Sequence, residues 1–482
     1  MRKSILLVLC CLLSTVLYAG PVSKEQARQI ASQFLTAKGG AHRAPAQLVE
    51  QPPVLNAVDK AGNPYIYAFN AGHDAGYVLV SGDDRFVDVL GYSNSGSFDN
   101  DDMPAHVKAW LQGYVDEMQY YASVGYQPTA STTDAKVRRA IKSAIIPLLA
   151  TAWGQGTPYN NKCPEFVTTS NPRCVTGCVA TAMAQLMYYN AQRSGGLPAA
   201  TTTEIAGYTC ERKWKVNLIN KQVSVSAIPA ETALDWNNML ASYASGYTDD
   251  QANAVATLMQ CCGASVQMDY ADADNGGSGA ALADVAPALK TYFGYDESTT
   301  YAKRANYTLN QWVDKVYAEL AVARPVLYGG QSSGGGHAFV IDGYDGDEMF
   351  HVNWGWNGSP DSYYALSVLN PNDNSGIGAS TSNDGYSYGQ EAVFHATIGS
   401  TDEPEETPQM MTTSVFTLED ATTIRMECGN TTDTERTYDF GIGSIDAEGN
   451  ITALDGGTYT MPSGYGFYGD NYKLTFNQCF GN

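Results

Sequence analysis

Basic residues are scarce in this chain. Lys and Arg number 28 against 50 Asp and Glu, a formal net charge of −22, and charged residues make up only 16% of the 482 positions. An acidic surface repels polyanions, so neither nucleic acid nor an anionic membrane is an expected partner. Long apolar runs are also missing: past the first 20 residues no stretch approaches the ~20 apolar residues of a membrane span. The opening segment, "MRKSILLVLCCLLSTVLYAG", has Arg2 and Lys3, a short apolar core and then small residues. It reads as a signal peptide ending at Ala19, which places the protein outside the cytoplasm, secreted or at the cell surface. Leu9 before Cys10 argues against lipid attachment. Eight cysteines follow the signal, too few for a disulfide scaffold, and they form no paired CxxC units of zinc-finger spacing. "DADNGG" at 272–277 resembles a calcium loop, but its twelfth position is Ala283 rather than a glutamate. No metal and no organic cofactor is expected.

What is present divides into blocks. From Pro21 to about Tyr121, "SKEQARQIASQFL" has helical periodicity behind Ser23 as N-cap, "YVLVSGDDRFVDVLGYS" alternates as strands, and "MPAHVKAWLQGYVDEMQYY" reads as a helix. A polar, locally basic connector with Lys136, Arg138, Arg139 and Lys142 follows, the composition of a nicking site. From about 143 to 400, helices come first and alternating strands later, which predicts an α+β domain. "STDEPEETPQ" is an acidic linker, and 401–482 is strand-like, best read as a small β-sandwich-type module. Its apolar last strand, "YKLTFNQCF", leaves open whether the module is complete.

The chemistry-bearing candidates are few. "TGCVATAMAQLMYYN" sets Cys178 after Gly177 on the first turn of a helix. There, unpaired N–H groups and the helix dipole favour thiolate. A buried cysteine, or a disulfide with Cys174, fits that position as well. A nucleophile needs a base, and only six histidines exist. His42, His73 and His106 lie in the first block; His351 and His395 sit inside alternating strands, where packing is the usual role. His337 differs, because it follows the glycine-rich run "GGQSSGGG", where Gly335 and Gly336 let a substrate backbone approach closely, and it opens the strand "HAFVIDG". A two-residue turn at Asp345-Gly346 would pair His337 with Trp354 across a hairpin. Asn353 would reach the imidazole only through a bulge or twist. The backbone N–H of Cys178 and the side chain of Gln155 are candidate donors to an oxyanion.

The motifs "WGQGTPYN", "TGCVATAMAQLMYYN", "GGHAFVIDGYDGDEMFHVNWGWNG" and "ALSVLNP" closely resemble the streptopain-type family of papain-like secreted cysteine peptidases. The first block, whose helices and strands read as a small α+β unit, resembles that family's inhibitory pro-domain. Beside the signal peptide at 1–19 and the β-rich module at 401–482, the resemblance implies an inhibitory pro-domain with its connector at 20–142 and a papain-like peptidase domain at 143–400. It implies Cys178 as nucleophile, His337 as general base and acid, Gln155 with Cys178 in the oxyanion hole, and Asn353 and Trp354 beside the histidine. It further implies that "GGSGA", with Ser278 and Gly279, lines the substrate pocket, and that an apolar residue is preferred two positions before the scissile bond. The partners would then be protein or peptide substrates and the chain's own pro-domain. Two other readings stay open: a secreted adhesion or binding protein carrying a degenerate peptidase domain, and amidase or transglutaminase chemistry on the same dyad.

Overall fold

The computed structural model describes residues 20–39, 48–123, 125, 142–165, 173–368 and 389–399, apart from 73, 194–195, 217–218, 274–275, 308, 334 and 359–360, together with strand segments between 410 and 475. The signal segment, most of the connector and the acidic linker fall outside these residues.

Helix α1 (Lys24–Gly39) begins with Gln26 donating its N–H to the Ser23 hydroxyl. The strands β1 (Leu48–Glu50), β2 (Ile66–Ala71), β3 (Tyr77–Ser81) and β4 (Val89–Ser93) follow, and then α2 (Ala105–Ser123). The larger unit opens with α3 (Cys178–Ala191), α4 (Asp249–Ser265) and α5 (Val285–Phe293), then β5 (Thr300–Lys303) and α6 (Leu309–Ala321). It closes with β6 (Val326–Ser332), β7 (Gly335–Tyr344), β8 (Phe350–Asn353), β9 (Ser362–Tyr364) and β10 (Glu391–Phe394). Helices before antiparallel strands make the α+β class that the block order predicts.

One ten-stranded sheet runs through both units in the order β1-β2-β3-β4-β9-β8-β7-β6-β10-β5. The junction is β4 against β9, with Tyr92 opposite Tyr363 and Gly91 opposite Tyr364. A side chain at Gly91 would strike the Tyr364 ring at 2.7 Å, so the close approach requires glycine. Strand alternation then divides the core. Leu327, Ala338, Val340 and Val393 pack with α3, α4 and α5 on one face. Tyr328, Phe339, Ile341 and Val352 pack on the other face with α2 and α6.

The β7–β8 hairpin departs from the two-residue turn expected at Asp345-Gly346. Tyr344 pairs with Phe350, Asp345 N–H bonds the Met349 carbonyl at 3.0 Å, and the loop spans Asp345 to Met349 with Gly346 and Glu348 at positive φ. The Asp345 carboxylate accepts the N–H groups of Asp347 and Met349 at 2.7 and 3.1 Å, which stabilises the longer loop over the tight one. A bulge between Ile341 and Gly343 shifts the register once more, so Val340 faces Asn353, where the pairing ends short of His337, and Trp354 does not sit opposite the histidine. Near the C-terminus the described strands form two small three-stranded sheets and a long hairpin, Arg436–Ile445 with Ile451–Met461.

Candidate active site

A cavity of about 720 Å³ lies where the start of α3 meets the start of β7, and Cys178, His337, Gln155, Ser278, Gly279 and Gly336 all line it. Of the expected residues, Gly335, Asn353 and Trp354 are not on its wall.

Cys178 owes its place to Gly177, whose φ of +86° turns the chain into α3, and a Cβ there would meet the Met268 sulfur at 2.7 Å. Behind the cysteine, Val179 to Met187 are all buried, so the helix is held on every side. The sulfur accepts the Ala338 N–H at 3.4 Å. Burial pushes the Cys178 thiol up, against the N–H groups of Ala338, Val179 and Cys178 itself, which pull it down. In this closed site desolvation outweighs the helix start, the reverse of the expectation from position alone. Cys178 and Cys174 are both free thiols here.

His337 shares its cavity with Cys178, but no hydrogen bond from a described residue reaches its ring. Alternation along β7 puts His337 on the face of Phe339, toward α2, and the His106 ring of that helix lies edge-on to it at 5.4 Å. His106 is itself buried against Trp354 and Trp356, at 5.4 and 4.9 Å between centroids. Desolvation and the facing His337 lower the His106 pKa to about 3, and desolvation lowers that of His337 to about 4, so both rings are neutral at pH 7. Trp354 packs on Phe339 at 4.7 Å and reaches the histidine pair through His106 rather than by lying on His337.

Asn353 points away from the imidazole. Its Nδ2 donates to the Thr151 carbonyl at 2.7 Å, and its Oδ1 accepts from Gln185 Nε2 and Gly355 N–H at 3.1 Å each. The buried Gln185 of α3 also accepts the Thr151 hydroxyl at 2.8 Å, so Asn353 ties α3 to β8. Gln155 lines the cavity, and its carbonyl accepts the Thr176 N–H at 3.2 Å, just before the cysteine turn. Ser278 Oγ bonds the Val175 and Ala271 carbonyls at 2.6 and 3.0 Å, fixing the loop opposite. His351 belongs elsewhere: its Nδ1 lies 2.6 Å from the buried Asp342 carboxylate.

The first unit also grips the loop ahead of His337. Ser332 Oγ donates to the Ala109 carbonyl at 2.8 Å, and Ser333 donates its N–H and hydroxyl to the Asp116 carboxylate at 2.8 and 2.9 Å. Glu117, wholly buried on α2, accepts from Ser367 Oγ at 2.6 Å and Val368 N–H at 2.9 Å. Lys38, at the end of α1, bridges Asp345 and Asp347 at 2.8 and 2.7 Å. Sequence reasoning set His106 aside with its block. The signal it passed over is spacing, since His106, Trp110 and Tyr114 recur every fourth residue on one buried face of α2.

A helical half and an antiparallel sheet meeting at a cleft, with a helix-start cysteine and a strand-borne histidine in it, are the papain-like cysteine peptidase architecture. Residues 153–364 match the family model described as Peptidase C10 family, and residues 19–118 match that described as Spi protease inhibitor. The chain is 31% identical to streptopain of Streptococcus pyogenes over 77% of its own length and 90% of the relative's. It is 33% identical to the thiol protease/hemagglutinin PrtT of Porphyromonas gingivalis over 83% of its length, yet spans only 44% of that protein. A solved fragment of Prevotella intermedia prointerpain A superposes with a TM-score of 0.55 at 32% identity, covering 74% of this chain and 99% of the fragment. The chain belongs to the Peptidase C10 family, whose members are cysteine endopeptidases. Among the described residues, no helix is long and apolar enough to cross a membrane.

Proposed function

We propose that this protein is an exported cysteine endopeptidase made as a latent precursor, with Cys178 as nucleophile and His337 as general base and acid. The thiolate attacks a peptide carbonyl; the oxyanion takes hydrogen bonds from the Cys178 N–H and the Gln155 side chain. His337 gives the proton to the leaving amine, and water then hydrolyses the thioester with His337 as base. Asn353 supports the histidine strand by fixing the end of β8 to α3, and Trp354, the next residue, by packing on Phe339 of β7. Ser278, Gly279 and Gly336 border the substrate groove, which favours an apolar residue two positions before the scissile bond.

The observation that carries this reading is the shared cavity of Cys178 and His337 with a pro-segment helix lodged against the histidine. The precursor is latent because α2 holds His337 away from a hydrogen bond with the thiol, through His106 on the ring and Asp116 on the loop. Cleavage in the connector, around 130–146, releases residues 20–142 and lets the loop close.

The test combines an epoxide of the class that alkylates papain-like thiols with casein hydrolysis by the processed protein. Labelling at Cys178 together with proteolysis supports the proposal. Labelling without proteolysis points instead to amidase or transglutaminase chemistry, and the absence of both labelling and proteolysis points to a binding protein with a degenerate peptidase domain.

A further inference from the structure

The cavity beside Cys178 has one charged end that the proposed apolar preference does not use. Ala338 of β7, Gly329 of β6, Glu391 of β10 and Lys303 of β5 are successive register partners, so their side-chain positions form one row across four strands. The row lies on the sheet face that packs with α3, and it starts beside the thiol, since Ala338 donates its N–H to Cys178 at 3.4 Å. Two strand spacings, about 10 Å, separate Ala338 from Glu391. Between them stands Gly329, with no side chain; the place of its Cβ is 3.4 Å from Leu282 Cδ1 and 3.6 Å from Glu391 Cγ. The result is a furrow with a small, apolar floor that runs from the thiol to a carboxylate on the cavity wall.

Among the described wall residues, Arg212 and Glu391 are the basic and acidic side chains. Arg212 is engaged, because its Nε bonds Asp269 at 3.1 Å and its guanidinium also donates to the Gly277 carbonyl at 2.9 Å. Glu391 accepts the Tyr301 hydroxyl on Oε2, while Oε1 takes no hydrogen bond from any described residue and no described lysine or arginine pairs with the group. Lys303, next in the row, is exposed and makes no ion pair with it. A half-buried carboxylate with a free oxygen at the end of an apolar furrow matches a side chain with an aliphatic stem and a cationic tip.

We propose that Glu391 is a specificity-determining residue that admits arginine or lysine two positions before the scissile bond, alongside apolar residues. This rests on the peptidase reading above. The stem lies over Gly329 and Leu282, and the guanidinium or ammonium meets Glu391 Oε1. Arginine, with its planar fork, should be favoured over lysine.

The test uses the processed full chain, its active thiol titrated with the epoxide, and a pair of fluorogenic peptides that differ only by leucine or arginine at that position. The wild type should hydrolyse both, and Glu391→Gln should lower the arginine-to-leucine ratio of kcat/KM by about tenfold or more, with partial recovery of the ratio in Glu391→Asp. Leucine hydrolysis with arginine refused, or a ratio unmoved by Glu391→Gln, overturns the subsite and leaves the peptidase standing. Neither peptide cleaved, with Cys178 unlabelled, overturns both.

Discussion

Gly177 sets the geometry of Cys178 more directly than any neighbour. With φ at +86° and the Met268 sulfur 2.7 Å from the place of a Cβ, Gly177→Ala should cost about 1–3 kcal/mol and displace the thiol. A lowered melting temperature together with slower epoxide labelling of Cys178 checks this; unchanged labelling contradicts it. His106 gives a second prediction. Its pKa, about 3 when packed against His337, Trp354 and Trp356, returns to near 6.5 once solvated. The docked state therefore binds fewer protons, so its stabilisation is full above about pH 6.5 and is lost as pH falls toward 3. In a Cys178→Ala background, where the proposal expects no self-processing, the melting temperature should drop more between pH 7 and pH 5 with His106 present than after His106→Phe. The raised pKa of Asp361, about 6, works in the opposite sense but is common to both proteins, so the difference isolates His106. Equal drops would contradict the assignment. At this scale the sequence made Cys178 and His337 legible, one by its helix start and the other by elimination among few histidines. Glu391 and His106 gave no such mark, because their meaning comes from strand register and domain docking, which no local pattern encodes.

At the scale of elements, the hairpin shows where local rules end. Alternation correctly separates the two faces of β7, yet the turn rule for Asp-Gly misplaces the register, since the Asp345 carboxylate caps a longer loop. The pairing is displaced by three positions at Tyr344 and, past the bulge between Ile341 and Gly343, by two at Val340, so Trp354 is not the register partner of His337. Asn353 fell on the face that strict alternation assigns it, and its amide is spent on Thr151, Gln185 and Gly355. Helix α2 and the loop before β7 act as a clasp through Asp116 and Ser333. Asp116→Ala removes both charge-assisted hydrogen bonds to Ser333, about 1.5–3 kcal/mol each at most, along with the one from Gln112 within α2, and should speed self-processing of the purified precursor several-fold. Unaltered processing would show that the clasp plays no part in latency.

For the whole molecule, the ten-stranded sheet makes the first unit an extension of the peptidase fold rather than a loose cap. Besides the clasp on Ser332 and Ser333, the boundary is crossed by the β4–β9 pairing, by the buried Glu117 carboxylate on Ser367 and Val368, and by Lys38 on Asp345 and Asp347. Block order and composition foretold an α+β unit ahead of a larger α+β unit. That their strands would join into one sheet was not legible, because β4 and β9 are far apart in sequence and only two residue pairs join them. The central claim is that Cys178, released from this embrace, cuts peptide bonds, including the chain's own connector. It is tested most directly by expressing the full chain alone, as wild type and as Cys178→Ala, and mapping the products by mass. The account predicts that the wild type is cut within about 130–146 while Cys178→Ala stays full length; self-processing by Cys178→Ala would contradict it.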